Sequence, residues 1–231
     1  MENKCGIDMK QTIEYYERNA PSFIESTIDA DVSELYRSFE ELLAPGCRIL
    51  DLVCGSGRDS KYFIEKGYDV VAIDPSLAMC IQTKGVANIL VYKMKAEEIQ
   101  FFDEFDAVWA CASLLHVRRE DQIKVLKLIA DALVTDGVFY GSWKYGDQDR
   151  FDSCRYFCDM NEKLLRMTLM KIPVFCVIKV WITQDVRHES AHQRWLNVLL
   201  RKSNAQECDR SMGDNHFREE VTTDAIPDHP K

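Results

Sequence analysis

Residues Arg48–Ser60 read RILDLVCGSGRDS, and the chain is organised around them. Arg48–Val53 is a short apolar run with one embedded carboxylate, Asp51, the pattern of a buried strand. Cys54-Gly55-Ser56-Gly57 is a turn, and Arg58-Asp59-Ser60 opens a helix whose apolar positions include Tyr62, Phe63 and Ile64. Glycine has no Cβ, so the backbone of such a turn can pass close to a ligand. The free N–H groups at a helix start favour anionic ligand groups. Strand, glycine turn and helix together point to a nucleotide-like cofactor.

Working outward, the N-terminal side carries two helical patterns. Gln11–Ala20 is expected to stop before Pro21, because the residue before a proline avoids the helical region. Ser33–Leu43 repeats apolar residues at helical spacing, and Ala44-Pro45-Gly46 turns into the first strand. On the C-terminal side, strands are expected over Tyr68–Ile73, Asn88–Tyr92, Phe105–Cys111 and Val138–Trp143. Helices are expected over Leu77–Thr83 and Glu120–Leu133, and near Met160–Met170. Two late strands, Phe175–Thr183 and Trp195–Leu200, have no helical pattern between them. The alternation implies a parallel α/β sheet with helices on both faces, and the late pair implies an antiparallel last strand. Residues 1–202 read as one domain with an N-terminal helical cap over about 10–43; residues 203–231 lack apolar periodicity and read as a disordered tail.

The 231 residues carry 38 acidic and 29 basic side chains, a formal net charge of −9. That balance weighs against nucleic-acid and anionic-membrane partners. No apolar run approaches the roughly 20 residues of a membrane span. The polar N-terminus lacks a signal-peptide core, and nine cysteines without a disulfide-like spacing are expected as reduced thiols of a cytoplasmic protein.

Two cofactor readings compete for the turn. The dinucleotide fingerprint requires G-x-G-x-x-G/A, and Gly55 and Gly57 fit, but the third position is Ser60. Asp74 ends the next strand, where an acid can accept hydrogen bonds from a ribose diol, a feature both cofactors share. A carboxylate at Asp51 suits a cationic amino group better than a pyrophosphate. LDLVCGSGRDS, VVAIDPS, FDAVWACASLLHV and VTDGVFYGSWKYG, in this order, resemble class I S-adenosylmethionine-dependent methyltransferases, including the tellurite-resistance methyltransferase-like and small-molecule group. The resemblance covers most of Gln11–Lys202 and implies a Rossmann-like, doubly wound, mostly parallel seven-stranded sheet.

The resemblance also implies roles. Asp51 would contact the methionine amino group of S-adenosylmethionine, and Cys54, Gly55, Ser56 and Gly57 would line the methionine end. Asp74 would hold the ribose, with Pro75 and Ser76 beside it; Lys95, Ala96 and Glu97 would meet the adenine. Ala110, Cys111 and Ser113 would wall the sulfonium region, and Tyr16 would cap the cofactor from the N-terminal helix. The family has glycine where this chain has Val53, and a β-branched residue enters positive φ at a cost. A distorted loop with weakened cofactor affinity is the expectation, and a catalytically impaired binding protein of the same fold is the alternative to an enzyme.

Methyl transfer from a sulfonium is an in-line displacement that needs alignment above all, and a base only if the acceptor loses a proton. His116 is the base candidate; positioning the cofactor or capping a helix is its other role. Trp143, Lys144 and Tyr145 follow the fifth strand and, with Arg187 and Trp195, are candidates for the pocket of a small-molecule acceptor. His188-Glu189-Ser190-Ala191-His192 matches H-E-x-x-H, but without an apolar helical repeat around it we read it as a chance match. Cys154 and Cys158 are spaced to share a helix face, yet no second ligand pair accompanies them, so no metal is expected.

Overall fold

The computed structural model describes residues 9–187 and 190–203. The central strand β1 (Arg48–Leu52) enters the turn and helix α4 (Arg58–Glu65) read from the sequence. Three helices precede it: α1 (Met9–Arg18), α2 (Ala20–Thr27) and α3 (Ser33–Glu40). Then come β2 (Asp69–Asp74), α5 (Leu77–Ala87), β3 (Leu90–Lys93), β4 (Phe105–Ala110), α6 (Gln122–Ala132) and β5 (Leu133–Lys144). The remaining elements are β6 (Asp149–Asp152), β7 (Arg155–Cys158), α7 (Glu162–Leu169), β8 (Phe175–Gln184) and β9 (Arg194–Lys202).

Seven strands form one sheet in the order β3-β2-β1-β4-β5-β9-β8. The pairs β3–β2, β2–β1, β1–β4 and β4–β5 are parallel. The last strand, β9, runs antiparallel to both β5 and β8 and lies between them. The expected Rossmann-like sheet with an antiparallel last strand is therefore the observed one.

Each face of the sheet has its own core. On one, Tyr36 and Phe39 of α3 and Phe63 of α4 pack on Trp109 and Tyr140. On the other, Val125, Leu126 and Ile129 of α6 and Leu165 and Leu169 of α7 cover Val108, Phe139 and Phe175. Strands buried on both sides read as continuous apolar runs, which is why β1, β2 and β4 were legible.

Three local expectations change. Pro21 does not merely end a helix; it sits in the first turn of α2, where its missing N–H costs nothing. A two-stranded hairpin, β6–β7, stands apart from the main sheet. Cys154 and Cys158 belong to that hairpin rather than to a helix, Cys154 exposed in its turn and Cys158 buried at the end of β7. The tail from residue 204 onward, and His188 and Glu189 of the H-E-x-x-H match, lie outside the described residues. No helix among the described residues is long and apolar enough to cross a membrane.

The turn after β1 needs Gly57 for two reasons. Its φ is +79°, and a Cβ there would stand 2.7 Å from Val86 Cγ2 and 2.9 Å from the Thr83 Cα of α5. We expect Gly57→Ala to lower unfolding stability by roughly 1–3 kcal/mol, read from urea denaturation, because both the left-handed backbone and the backbone contact oppose a side chain.

Candidate active site

The order of strands reverses between β1 and β4, and open α/β sheets take ligands in the crevice at such a switch point. A cavity of about 920 Å³ opens there. Two non-glycine residues just past the adjacent strand ends hold positive φ, Val53 (+64°) and Ala112 (+51°), and both line the cavity. The turn keeps its closure despite Val53: Cys54 N–H donates to Ile73 O and Gly57 N–H to Cys54 O, each at 3.0 Å. The Val53 side chain packs against the core below, so the strain is confined to one residue.

One end of the cavity is built around Asp74, the buried last residue of β2. Gly55 N–H donates to its Oδ2 at 3.0 Å and Ser76 N–H to its Oδ1 at 2.8 Å. One bond to each oxygen leaves acceptor capacity on both. Burial pushes this carboxyl up to about 7, against the two backbone donors that hold it down. Cys54, Gly55, Ser56, Pro75, Ser76 and the Lys95-Ala96-Glu97 turn line the cavity with it. Cys111 and Ser113 complete the wall, and the Ser113 Oγ is buried without a hydrogen-bond partner.

Tyr16 and Phe23 close the cavity from the N-terminal helices. The segment is fixed by Glu17, whose carboxylate accepts the Leu77 and Ala78 N–H groups at 2.5 and 3.2 Å, at the start of α5. Tyr16 O–H meets His116 Nε2 at 2.7 Å, and His116 Nδ1 meets the Tyr156 carbonyl at 2.8 Å. A carbonyl only accepts, so Nδ1 carries the proton and Nε2 accepts from the phenol. Burial, then the charges of Arg155 and Lys144, push His116 down to about 4 against its bond to the carbonyl. Burial raises the Tyr16 phenol to about 12. His116 is therefore a neutral ring with both nitrogens engaged. That geometry speaks against its reading as a base, and sets it to orient Tyr16, a role that the sequence did not suggest.

Beneath the crevice lies a charge pair that the sequence reading passed over. Arg58 holds Asp59 through two bonds, at 2.6 and 3.1 Å. Asp59 also accepts from Tyr36 O–H at 2.5 Å and Trp109 Nε1–H at 2.8 Å. Burial raises its carboxyl, but Arg58, Tyr36 and Trp109 outweigh burial and hold it below the usual range. Both members line the cavity.

Five sequence candidates are not on the cavity wall. Asp51 is buried and accepts Ser60 O–H at 2.5 Å; burial and the Asp59 charge push it up to about 8. Gly57 packs against α5, and Ala110 is wholly buried. Trp143 is buried with its indole N–H directed at Gln122 Oε1, and the Tyr145 hydroxyl donates to Glu162 at 3.1 Å. Lys144, Arg187 and Trp195 do line the far end. There Arg187 grips Asp185 at 2.9 and 2.6 Å, and Trp195 Nε1–H donates to the same carboxylate at 3.1 Å. Arg155 and Phe157 of the β6–β7 hairpin join them without any signal in the sequence.

Residues 49–137 match the family model described as a methyltransferase domain. The chain is 32% identical over 130 residues to YqeM of Bacillus subtilis, named as a methyltransferase, a match covering 53% of each chain. It is 27% identical over 154 residues to the "Probable S-adenosyl-L-methionine-dependent methyltransferase TehB" of Haemophilus influenzae, covering 57% of this chain and 51% of that protein. It thus spans about half the length of the curated relatives it matches. Its fold is similar to a crystal structure of the Burkholderia thailandensis 1,6-didemethyltoxoflavin-N1-methyltransferase with bound 1,6-didemethyltoxoflavin and S-adenosylhomocysteine. The TM-score is 0.69 and the identity 18%, over 86% of this chain and 88% of that one. At that identity the likeness concerns the fold.

Two measurements follow from the geometry. Val53→Gly removes the strain of a β-branched residue at positive φ but adds glycine entropy, so stability should rise by at most about 1 kcal/mol in urea. NMR titration of the His116 imidazole should show no inflection between pH 5 and 8, because its folded value near 4 keeps the ring neutral throughout.

Proposed function

We propose that this chain, a class I S-adenosylmethionine-dependent methyltransferase, passes the methyl group to a small-molecule acceptor. The observation that carries the reading is the Asp74 carboxylate, buried at the switch-point crevice with acceptor capacity left on both oxygens. A ribose diol is the donor pair that such an acid suits. The unpartnered Ser113 hydroxyl and the glycine turn beside it fit a polar ligand lying along the strand ends.

When bound, the cofactor supplies an electrophilic methyl group on a sulfonium. The residues of this chain would hold and orient it: Asp74 at the ribose, the Cys54–Ser56 turn at the methionine end, and Lys95, Ala96 and Glu97 at the base. Asp51, tied to Ser60 below the cavity, would support the turn from beneath rather than contact the amino group. Tyr16, aimed by His116, would face the reacting region and help to align the acceptor. With both groups so engaged, neither would serve as a base near neutral pH, and the acceptor would attack through a nucleophile that needs no strong base. The fold neighbour whose name includes a bound small-molecule acceptor supports the acceptor class.

Calorimetry with S-adenosylhomocysteine, together with labelled methyl transfer from S-adenosylmethionine into metabolites, tests this. Asp74→Asn should weaken binding roughly 10–100-fold, the scale of charge-assisted hydrogen bonds. The pH dependence has a definite sign. A diol donates to the carboxylate, and the free carboxyl sits near 7. Affinity should be full above that value and fall as the pH drops through it, and the Asp74→Asn variant should lose the trend. Binding indifferent to both the variant and the pH, or labelling confined to macromolecules, contradicts the reading.

A further inference from the structure

We propose that Lys144 and Arg155 receive a carboxylate or phosphate group of the methyl acceptor, so that the acceptor is an anionic small molecule. This rests on the methyl-transfer reading above and names the substrate class for the same cavity. Lys144 ends β5 and Arg155 begins β7, and both line the cavity. They converge on one ring: Lys144 Nζ lies 4.1 Å and the Arg155 guanidinium carbon 5.1 Å from the Phe157 centroid. Arg155 also lies 4.4 Å from the Tyr15 ring. These contacts hold two cations in place without neutralising them.

Their counter-charges are missing where those of their neighbours are present. Arg150 pairs with Asp159 at 2.8 Å, Arg119 with Asp149 at 2.6 Å and Arg187 with Asp185 at 2.6 Å. Among the described residues no carboxylate lies within ion-pair distance of Lys144. Among the described residues the one carboxylate within ion-pair distance of Arg155 is Asp152, at 4.0 Å, and that side chain is 56% exposed. The Arg155 Nε is buried with no hydrogen-bond partner. Burial first, then the charges of Arg150 and Arg155, push Lys144 down to about 8 against the Asp159 charge, so holding an ammonium here has a cost. An anionic group entering from the cavity offsets that cost and satisfies the orphaned Nε.

The placement suits an anchor on the acceptor. Tyr16 bonds His116, whose ring lies 5.0 Å from that of Phe157, and packs at 4.9 Å on Phe23, which borders Gly55 beside Asp74, so it stands between the two ends of the cavity. A group held by Lys144 and Arg155 therefore leaves the rest of its molecule directed past Tyr16 toward the Asp74 end. A guanidinium fork and a flexible ammonium together match a group with two or three equivalent oxygens.

The test uses the full chain and a metabolite ultrafiltrate split on an anion exchanger at neutral pH before reaction with labelled S-adenosylmethionine. Methyl-accepting activity is expected in the retained fraction. Phosphatase treatment of that fraction separates a phosphate, whose activity is lost, from a carboxylate, whose activity persists. Lys144→Gln and Arg155→Gln are each expected to raise KM for the retained acceptor at least tenfold, with S-adenosylhomocysteine affinity unchanged within about twofold. That affinity also reports that each variant is folded, and Arg155→Lys should recover part of the loss. Activity only in the unretained fraction, or an unaltered KM in both Gln variants, overturns the anionic acceptor while leaving methyl transfer intact. Failure of the wild type to bind S-adenosylhomocysteine removes the methyl-transfer reading and this one with it.

Discussion

A largely buried carboxylate must be met by donors, and Asp59 is where this chain meets that demand. Its four hydrogen bonds come from Arg58 on its own helix, Tyr36 on α3 and Trp109 on β4. Removing Arg58 would leave a buried charge unpaired, a cost on the order of 3–5 kcal/mol. The three elements are therefore fixed relative to one another by one side chain. Aromatic packing follows from that anchor. Tyr36 stacks on Tyr62 with centroids 3.8 Å apart, and Trp109 on Tyr140 at 4.1 Å. The N-terminal helices thereby acquire a fixed position over the sheet, and the cavity acquires a wall.

Within that frame the cavity is polar at both ends and differs in sign between them. Near the first turn, Asp74 stands buried with spare acceptor capacity. Beyond Tyr16, Lys144 and Arg155 stand short of acceptors. The backbone at the strand ends is strained at Val53 and Ala112, and strain of this kind persists only where surrounding structure over-determines it. Here the over-determination is visible: hydrogen bonds close the turn, and Val53 packs into the core.

The residues that the sequence made legible are those whose neighbours lie close along the chain. The β1 strand, its glycine turn and the carboxylate at the end of β2 all declare themselves within some 27 residues, from Arg48 to Asp74. What stayed hidden depends on distant partners. Asp51 looked like a ligand contact because its strand points at the turn, yet Ser60, on the facing helix, takes its carboxylate. His116 looked like a base until Tyr16 and Tyr156, far away in sequence, were found on its two nitrogens. The β6–β7 hairpin escaped notice for a local reason. Its two-residue turn, Ser153-Cys154, takes φ of +50° and +66°, a conformation normally announced by asparagine and glycine. With the hairpin hidden, Arg155 was hidden too.

Glu17 ties the N-terminal roof to the first turn of α5, on the amide groups of Leu77 and Ala78. Those amides follow directly on Asp74 and Ser76, so the same short segment serves the helix start and the crevice. Lifting α1 away strips two amides of their acceptor and loosens the loop that carries the carboxylate. The seat of the roof and the start of α5 are in consequence set by one carboxylate. That carboxylate sits at the positive end of the α5 dipole, which favours an anion there.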